Sequence, residues 1–384
     1  MTDDPAGGLV VTGIGTVSAD GFDFRTALGR RGYKYLPAAS QYFLAAAKGA
    51  LAQAGPGALE AVGPEERGAA VGTNSAAVAL HHTMDRTITA TGAEDLSPAL
   101  APYFSINLFG SRLATEHDLK GFNLTFTSPR VAGLEALQAG RRAIAAGRAR
   151  RLLAGATEEA LPEGEPGADR PESGAVALVL EPASAARSRG AAALGRVAVR
   201  SFFLPPRVAA SADGSWQAAV LLRDALAALG HRPDRPLTVT AVLDGSPVGE
   251  AVAAALAGRT PTGWAPDERA PDDRAVAGQT LNDRAPDERA PGGRPVAGRL
   301  ERVPAGAGAL EPVARVAAAL AAPAGHPHAV VTAAAEGNTA VCLVTPGPGP
   351  GPDPDQDPGS GADATSGGTG DGPGRSGGTE ASSR

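Results

Sequence analysis

The chain has 384 residues, 43% of them apolar and only 4% aromatic, with a formal net charge of −6; that length holds one large domain or two ordinary ones, with a core of small aliphatic side chains. No basic stripe supports nucleic-acid binding, and the single cysteine, Cys342, rules out a disulfide framework and a cysteine-based zinc site. No run of about 18 apolar residues and no basic leader at the acidic start Met1 to Asp4 point to a membrane or to export, so the expectation is a cytoplasmic protein without membrane, metal or cofactor.

In chain order, residues 9–15 form a short buried strand ending in a glycine turn. Residues 38–54 have helical spacing, with Tyr42, Phe43, Ala46 and Leu51 apolar and Gly55 as a stop. Residues 67–73 are a second strand. The stretch 97–119 is apolar but broken by Pro98 and Pro102, which predicts a helix over 105–115. A strand at 122–127 is followed by a helix over 131–146. The apolar runs 151–155 and 174–181 are strands buried on both faces. The second half repeats this grammar more weakly: strand 195–199, helix 215–229, strand 237–243, helix 249–257, a helix within 302–321, and two strands at 329–345 around Glu336-Gly-Asn338. Alternating buried strands and helices argue for an α/β sheet covered on both sides.

The expected organisation is a half at 1–185, a second half at 186–345, and two segments outside the core. Residues 265–298 contain Ala-Pro-Asp-Glu-Arg-Ala-Pro twice, at Ala265 and Ala285, and read as an expanded charged loop. Residues 346–384 are Gly, Pro, Asp, Ser and Thr, the composition of a disordered tail.

Three stretches invite a chemical reading. Val10-Val-Thr-Gly-Ile-Gly15 begins like a dinucleotide fingerprint, but the third glycine position holds Ser18. His81 and His82 are adjacent without carboxylates at ligand spacing, so surface histidines are the simpler reading. The run Gly121-Phe-Asn-Leu-Thr-Phe-Thr-Ser-Pro-Arg-Val-Ala-Gly-Leu134 reads as strand, tight turn and helix, an arrangement that aims one side chain and the first helix amides at a reacting carbonyl. Arg130 stands in that turn. It is a permanent cation, unable to act as a nucleophile, at the positive end of a helix dipole. In a dry pocket it needs a carboxylate.

This run resembles the nucleophile elbow of the β-ketoacyl-ACP synthases, G-P-N-x-T-x-x-T-A-C-x-S-G, matching at Gly121, Asn123, Thr125 and Gly133, with the reactive cysteine falling on Arg130. The opening Val-Val-Thr-Gly-x-Gly is similar to the same family. Thr240-Ala-Val-Leu-Asp-Gly-Ser-Pro-Val-Gly-Glu250 resembles the H-G-T-G-T-P-x-G-D motif, with the histidine on Val242. Residues 297–308 resemble the second histidine motif, with the lysine on Ala297 and the histidine on Arg302, and residues 333–340 resemble the terminal G-F-G-G-T-N-A loop.

The resemblance spans Leu9 to Val344 without the 265–298 insert. It implies a thiolase-like fold, a five-layer α-β-α-β-α sandwich of two pseudo-duplicated halves, whose strand before the elbow pairs across a dimer axis. It also implies that the catalytic groups are lost at Arg130, Val242, Arg302 and Ala297. The function expected from it is a non-catalytic homologue, like the chain-length factor of type II polyketide systems, partnering an active ketosynthase and, through the complex, an acyl carrier protein. Phe104, Leu108, Phe109 and Phe126 are the candidate tunnel or interface residues. Arg130 is expected to pair with Glu336 or, second, Asp244. The alternatives are an active acyl-ACP condensing enzyme or acyltransferase, with Ser128 the nearest hydroxyl, and a degenerate scaffold without activity.

Overall fold

The computed structural model describes residues 9–260, 263–264, 299–323 and 325–347; the 265–298 insert, Ala297 with it, and the tail beyond 347 lie outside the described residues. The N-terminal part runs β1 (Leu9–Ser18), α1 (Phe24–Ala27), α2 (Ala38–Ala54), β2 (Arg67–Gly72), α3 (Val78–Ala90), α4 (Leu108–His117), β3 (Asn123–Phe126), α5 (Ala132–Ala145), β4 (Arg151–Glu158), β5 (Gly174–Pro182) and α6 (Ala183–Ser188). There follow β6 (Gly195–Phe203), α7 (Pro206–Ala209), α8 (Gly214–Ala228), β7 (Thr238–Leu243), α9 (Pro247–Ala257) and the two-residue strands β8 (Arg259–Thr260) and β9 (Gly263–Trp264). The last elements are β10 (Leu300–Pro304), α10 (Leu310–Ala321), β11 (His328–Ala333) and β12 (Asn338–Pro346).

The strand order shows the duplication that the sequence only hints at. From one edge inwards the N-terminal strands run β3-β2-β4-β5-β1, and from the opposite edge the C-terminal ones run β10-β7-β11-β12-β6. Each set is third, second, fourth, fifth and first in its own order. In each, the first three strands from the edge are parallel, and the next two join antiparallel. The two sets meet only at a single bridge, Val11 opposite Gly195.

Burial divides the helices into layers. The apolar stripes of α5 (Leu134, Leu137) and α10 (Val313, Val316, Leu320) share one core with Leu152 and Leu178 of one sheet and Val199 and Val330 of the other. These two helices are the central layer. Phe43 and Leu44 of α2 and Leu113 of α4 pack on the outer face of the first sheet, and Leu222 of α8 with Val252 of α9 on the outer face of the second. The result is the five-layer α-β-α-β-α sandwich.

Close packing of the central layer depends on missing side chains. A Cβ on Gly72 would stand 2.3 Å from the Gly133 nitrogen, and one on Gly133 would stand 2.5 Å from Val313 Cγ2. Both glycines let α5 lie against β2 and α10, which fixes the start of α5.

Some sequence expectations shift. The helix expected at 105–115 runs Leu108–His117 and stops at Asp118, in the left-handed region at φ 52°. The stretch read as a helix within 302–321 opens with an edge strand, β10, before α10 begins. Helix α3 was not expected at all; no residue of it is buried, so it carries no apolar stripe to read.

Candidate functional site

The site is built where three chain segments meet: the turn between β3 and α5, the loop after β7 and the loop after β10. The turn places Arg130 at φ 59°, a left-handed conformation shared among the described non-glycine residues only with the helix stop at Asp118. Such a backbone costs about 1–3 kcal/mol and persists only where its surroundings hold it. Asn74 does the holding: the Arg130 amide donates to its Oδ1 at 3.0 Å, and its Nδ2 donates to the Thr127 carbonyl at 2.9 Å. The Arg130 amide, the group an elbow of this kind would turn towards a developing oxyanion, is therefore already engaged.

The guanidinium reaches across to the second half. Arg130 Nη2 lies 3.1 Å from Asp244 Oδ2, with the side chains 22% and 14% exposed, and Nη1 donates to the Gly306 carbonyl. Asp244 is itself fixed: its Oδ1 accepts from the Ser246 amide at 3.0 Å and from the Ser246 hydroxyl. Ser246 caps α9, its Oγ accepting from the Gly249 amide at 3.1 Å. The cation that meets the wrong end of the α5 dipole is thus compensated by a carboxylate tied to another helix start.

Behind the elbow lies a residue that sequence reasoning missed. Glu158, at the end of β4, is fully buried. Its oxygens accept from Thr73 Oγ1 at 3.0 Å, the Asn74 amide at 2.8 Å, the Ser75 amide at 2.7 Å, Ser75 Oγ at 2.6 Å and the Ala309 amide at 2.7 Å. It locks the loop after β2 to the start of α10, and through Asn74 it supports the elbow. The available signal was an acid closing an apolar strand, followed by a second glutamate.

Glu172 completes this wall. Its Oε2 accepts from the Leu310 and Glu311 amides at 2.7 and 3.0 Å, at the N-terminus of α10. Burial, helped by nearby Glu158, pushes its carboxyl up to about 7. A carboxyl raised from 4.5 to about 7 on folding favours the folded state fully below pH 4.5, and that contribution is lost as pH rises through 7. Glu172→Gln, which keeps the acceptor without the charge, is expected to remove about 2 kcal/mol of pH-dependent stability loss between pH 5 and 8. Urea midpoints of both proteins at the two pH values check this.

The other residues singled out in the sequence fall as follows. Glu336 is exposed on the turn before β12, and the carboxylate that Arg130 meets is Asp244. Val242 is buried in β7, paired beside Val303 and Thr332, two residues before Asp244. Arg302 does not lie at the elbow: it is exposed on the edge strand β10, opposite Ala241, and its guanidinium donates to the Ala253 carbonyl at 3.0 Å. The residue from that stretch which reaches the elbow is Gly306, four positions further on, because the strand extends to Pro304. Ala297 is outside the described residues. Phe126 is half-buried against the central core. Phe104 is 60% exposed and rests on the His81 ring at 4.7 Å. Leu108 and Phe109 open α4, and their side chains are outside the described set.

Among the described residues no side chain hydrogen-bonds to the Ser128 hydroxyl. The histidines and the cysteine of the described residues are placed as follows. His81 bonds to the Phe104 carbonyl, His82 faces Glu165 at 3.6 Å, and His328 meets Thr240 Oγ1 at 2.9 Å. His117 is at the end of α4, and His231 and His326 stand in loops. Cys342 is buried in β12, where burial pushes its thiol up to about 12, so it is no nucleophile. No cluster of three or more metal-ligating side chains exists among the described residues.

Residues 2–168 match the family model of the β-ketoacyl synthase N-terminal domain. The N-terminal part of the chain thus carries a β-ketoacyl synthase N-terminal domain, and the chain as a whole has the thiolase-like ketosynthase fold. Among solved structures it is similar to the ishigamide ketosynthase/chain length factor, at 21% identity and a TM-score of 0.64, covering 88% of this chain and 99% of that one. It is also similar to a β-ketoacyl synthase from Burkholderia phymatum STM815, at 15% identity and a TM-score of 0.64, with the same coverage. A third similar structure, at 15% identity and a TM-score of 0.62, holds a type II polyketide acyl-carrier protein in complex with its ketosynthase. At these identities the likeness is one of fold. No curated protein sequence matches the chain.

Proposed function

We propose that this protein is a non-catalytic ketosynthase homologue, the chain-length-factor-like half of a heterodimer with an active ketosynthase in polyketide or fatty acyl biosynthesis. The observation that carries the reading is Arg130, which stands at the nucleophile position of the elbow and is bound to Asp244 and the Gly306 carbonyl. A guanidinium so held neither attacks a thioester nor leaves room for a group that does.

The partner side of the reading is supported by β3. It is an edge strand with β2 as its only neighbour among the described residues, and Leu124 on it is 45% exposed. An edge with open amides and carbonyls accepts another strand. The acyl carrier protein would be met through the complex, with the location cytoplasmic; no described helix is long and apolar enough to cross a membrane. Phe104, Leu108, Phe109 and Phe126 remain the proposed tunnel or interface residues. The proposed division at 185/186 into two halves is supported by their repeated strand order.

Co-expression with an intact ketosynthase and light scattering of the purified species tests this. A 1:1 heterodimer is expected, and Thr125→Pro on the β3 edge is expected to abolish it while the chain remains folded. A monodisperse monomer that never associates would sink the proposal.

A further inference from the structure

The connection between β4 and β5, residues 159–173, lies against the loop after β10 that receives Arg130. The Ala307 amide donates to the Arg170 carbonyl at 3.1 Å. A Cβ on Gly167 would stand 2.7 Å from Ala307 Cβ, and one on Gly306 would stand 2.5 Å from Glu172 Oε1. Gly306 is the residue whose carbonyl accepts from Arg130. Earlier in the connection, Glu159 Oε2 accepts from the Ala39 amide of α2 at 3.3 Å, and Glu165 faces His82 of α3 at 3.6 Å. The connection is thus a strap that runs from α2 and α3 to the start of α10.

Two carboxylates meet at the start of α10, and they are unequally provided. Glu158 accepts from five protein groups, the Ala309 amide among them. Glu172 accepts from two, the Leu310 and Glu311 amides, both on Oε2. Among the described residues neither forms a salt bridge. The other charges nearby do not redress this. Glu311 of α10 adds a like charge and is itself paired with Arg315 at 2.7 Å. On the strap, Arg170 is exposed and lies beside Asp169 at 3.9 Å. One helix N-terminus does not favour two neighbouring anions equally. Glu158, with more donors, keeps the charge, and Glu172 is the acid that fits best when protonated.

We propose that residues 159–173 are a proton-controlled strap. With Glu172 protonated it closes on the loop after β10 and clamps the Arg130 joint; with Glu172 ionised it lifts from the start of α10 and loosens that joint. The sign follows from the carboxyl, which burial pushes up to about 7 from 4.5 in the closed strap. Closure is favoured fully below pH 4.5, and that contribution is lost as pH rises through 7. Glu159 is also pushed up by burial, so the two acids have to be separated by substitution. The device needs no partner subunit, and its test is independent of the heterodimer.

Hydrogen–deuterium exchange of the full-length protein, read by peptide mass spectrometry and corrected for the intrinsic pH dependence of exchange, tests the strap. In peptides covering 159–173 and 305–311 the opening constant is expected to rise by at least about tenfold between pH 5 and 7, then by about twofold or less up to pH 8. The elbow peptide 127–134 should follow the same course, while peptides of β5 and α8 stay unchanged. Glu172→Gln is expected to abolish the rise, and Glu159→Gln to keep it at 305–311. Circular dichroism checks that the variants are folded. Glu311→Gln is a second handle: removing a like charge beside Glu172 is expected to move the midpoint of the rise to lower pH. No rise, a rise of equal size in β5 and α8, a rise that survives Glu172→Gln, or a midpoint unmoved by Glu311→Gln would overturn the proposal.

Discussion

Glu158→Ala is expected to destabilise the protein by about 4 kcal/mol or more, the largest effect of any single substitution near the site. The side chain is fully buried and accepts from five protein groups: two hydroxyls and three backbone amides. A buried carboxylate is tolerable here because the donors replace its water, and because Ala309 belongs to the N-terminal end of α10, where the dipole favours negative charge. Alanine removes the acceptor and leaves four donors without a partner, the Ser75 hydroxyl still reaching the Glu159 carbonyl at 2.7 Å, each orphan costing about 1–3 kcal/mol before relaxation. Glu158→Gln is expected to fall between the two, since an amide group facing three donors on the Oε2 side keeps only part of the acceptor set. Urea unfolding of the three proteins measures the series. A loss below about 1 kcal/mol for alanine would mean that the loop after β2 is held by something else.

Glu181→Ala is expected to cost about 3–5 kcal/mol for a different reason. Glu181, also fully buried, is shared by two guanidiniums: Arg151 Nη2 lies 3.1 Å from Oε2, and Arg189 bonds both oxygens, through Nε at 3.2 Å and through Nη2. Thr12 adds a hydroxyl bond at 2.6 Å. Burial already works against the charge on Arg151, and Glu181 is the main group opposing that effect. The two arginines also donate to carbonyls at the end of α2 and just beyond it, Arg189 to Ala54 at 2.6 Å and Arg151 to Ala58 at 2.9 Å. Removing the acid leaves two guanidiniums facing one another with little water. A double-mutant cycle adding Arg151→Met should recover part of the loss, because an apolar side chain ends that repulsion. If the double variant is no more stable than Glu181→Ala, the charge argument fails and the loss is one of packing.

The contrast between these residues and Arg130 shows what the sequence could reveal. Most elements were legible because their burial follows a period. Helix α2 ends at Gly55, and β4 and β5 are uninterrupted apolar runs. Helix α3 was not legible, because it is threonine- and histidine-rich and buries nothing. Its threonines instead bond to carbonyls four residues back, Thr83 to Ala79 and Thr87 to Thr83, each at 2.9 Å. Strand β10 was missed for the same reason: as an exposed edge ending in Pro304, it lacks the apolar alternation of a half-buried strand.

Within the site, Arg130 stood out because an obligate cation at an elbow needs an explanation, and Asp244 was one of two acids available to provide it. The sequence favoured Glu336; the structure turns Arg130 to Asp244 because that acid is fixed by Ser246 at the start of α9. Gly306, Asn74 and Glu158 could not be read in the same way. Gly306 contributes only a carbonyl, and most partners of Glu158 are amides or hydroxyls whose role depends on how loops far apart in the sequence converge. The second histidine motif, with its histidine placed on Arg302, falls within β10 rather than after it, because the length of β10 is not marked in the sequence.

The central claim is that the elbow has been converted from a reaction centre into a structural joint between the two halves. Incubating the purified full-length chain with an acylated carrier protein and measuring its intact mass tests this directly. The account predicts no acyl adduct on the chain, with the carrier thioester unchanged. A stoichiometric mass increase mapped to Ser128, or to any other side chain of the elbow, would contradict it.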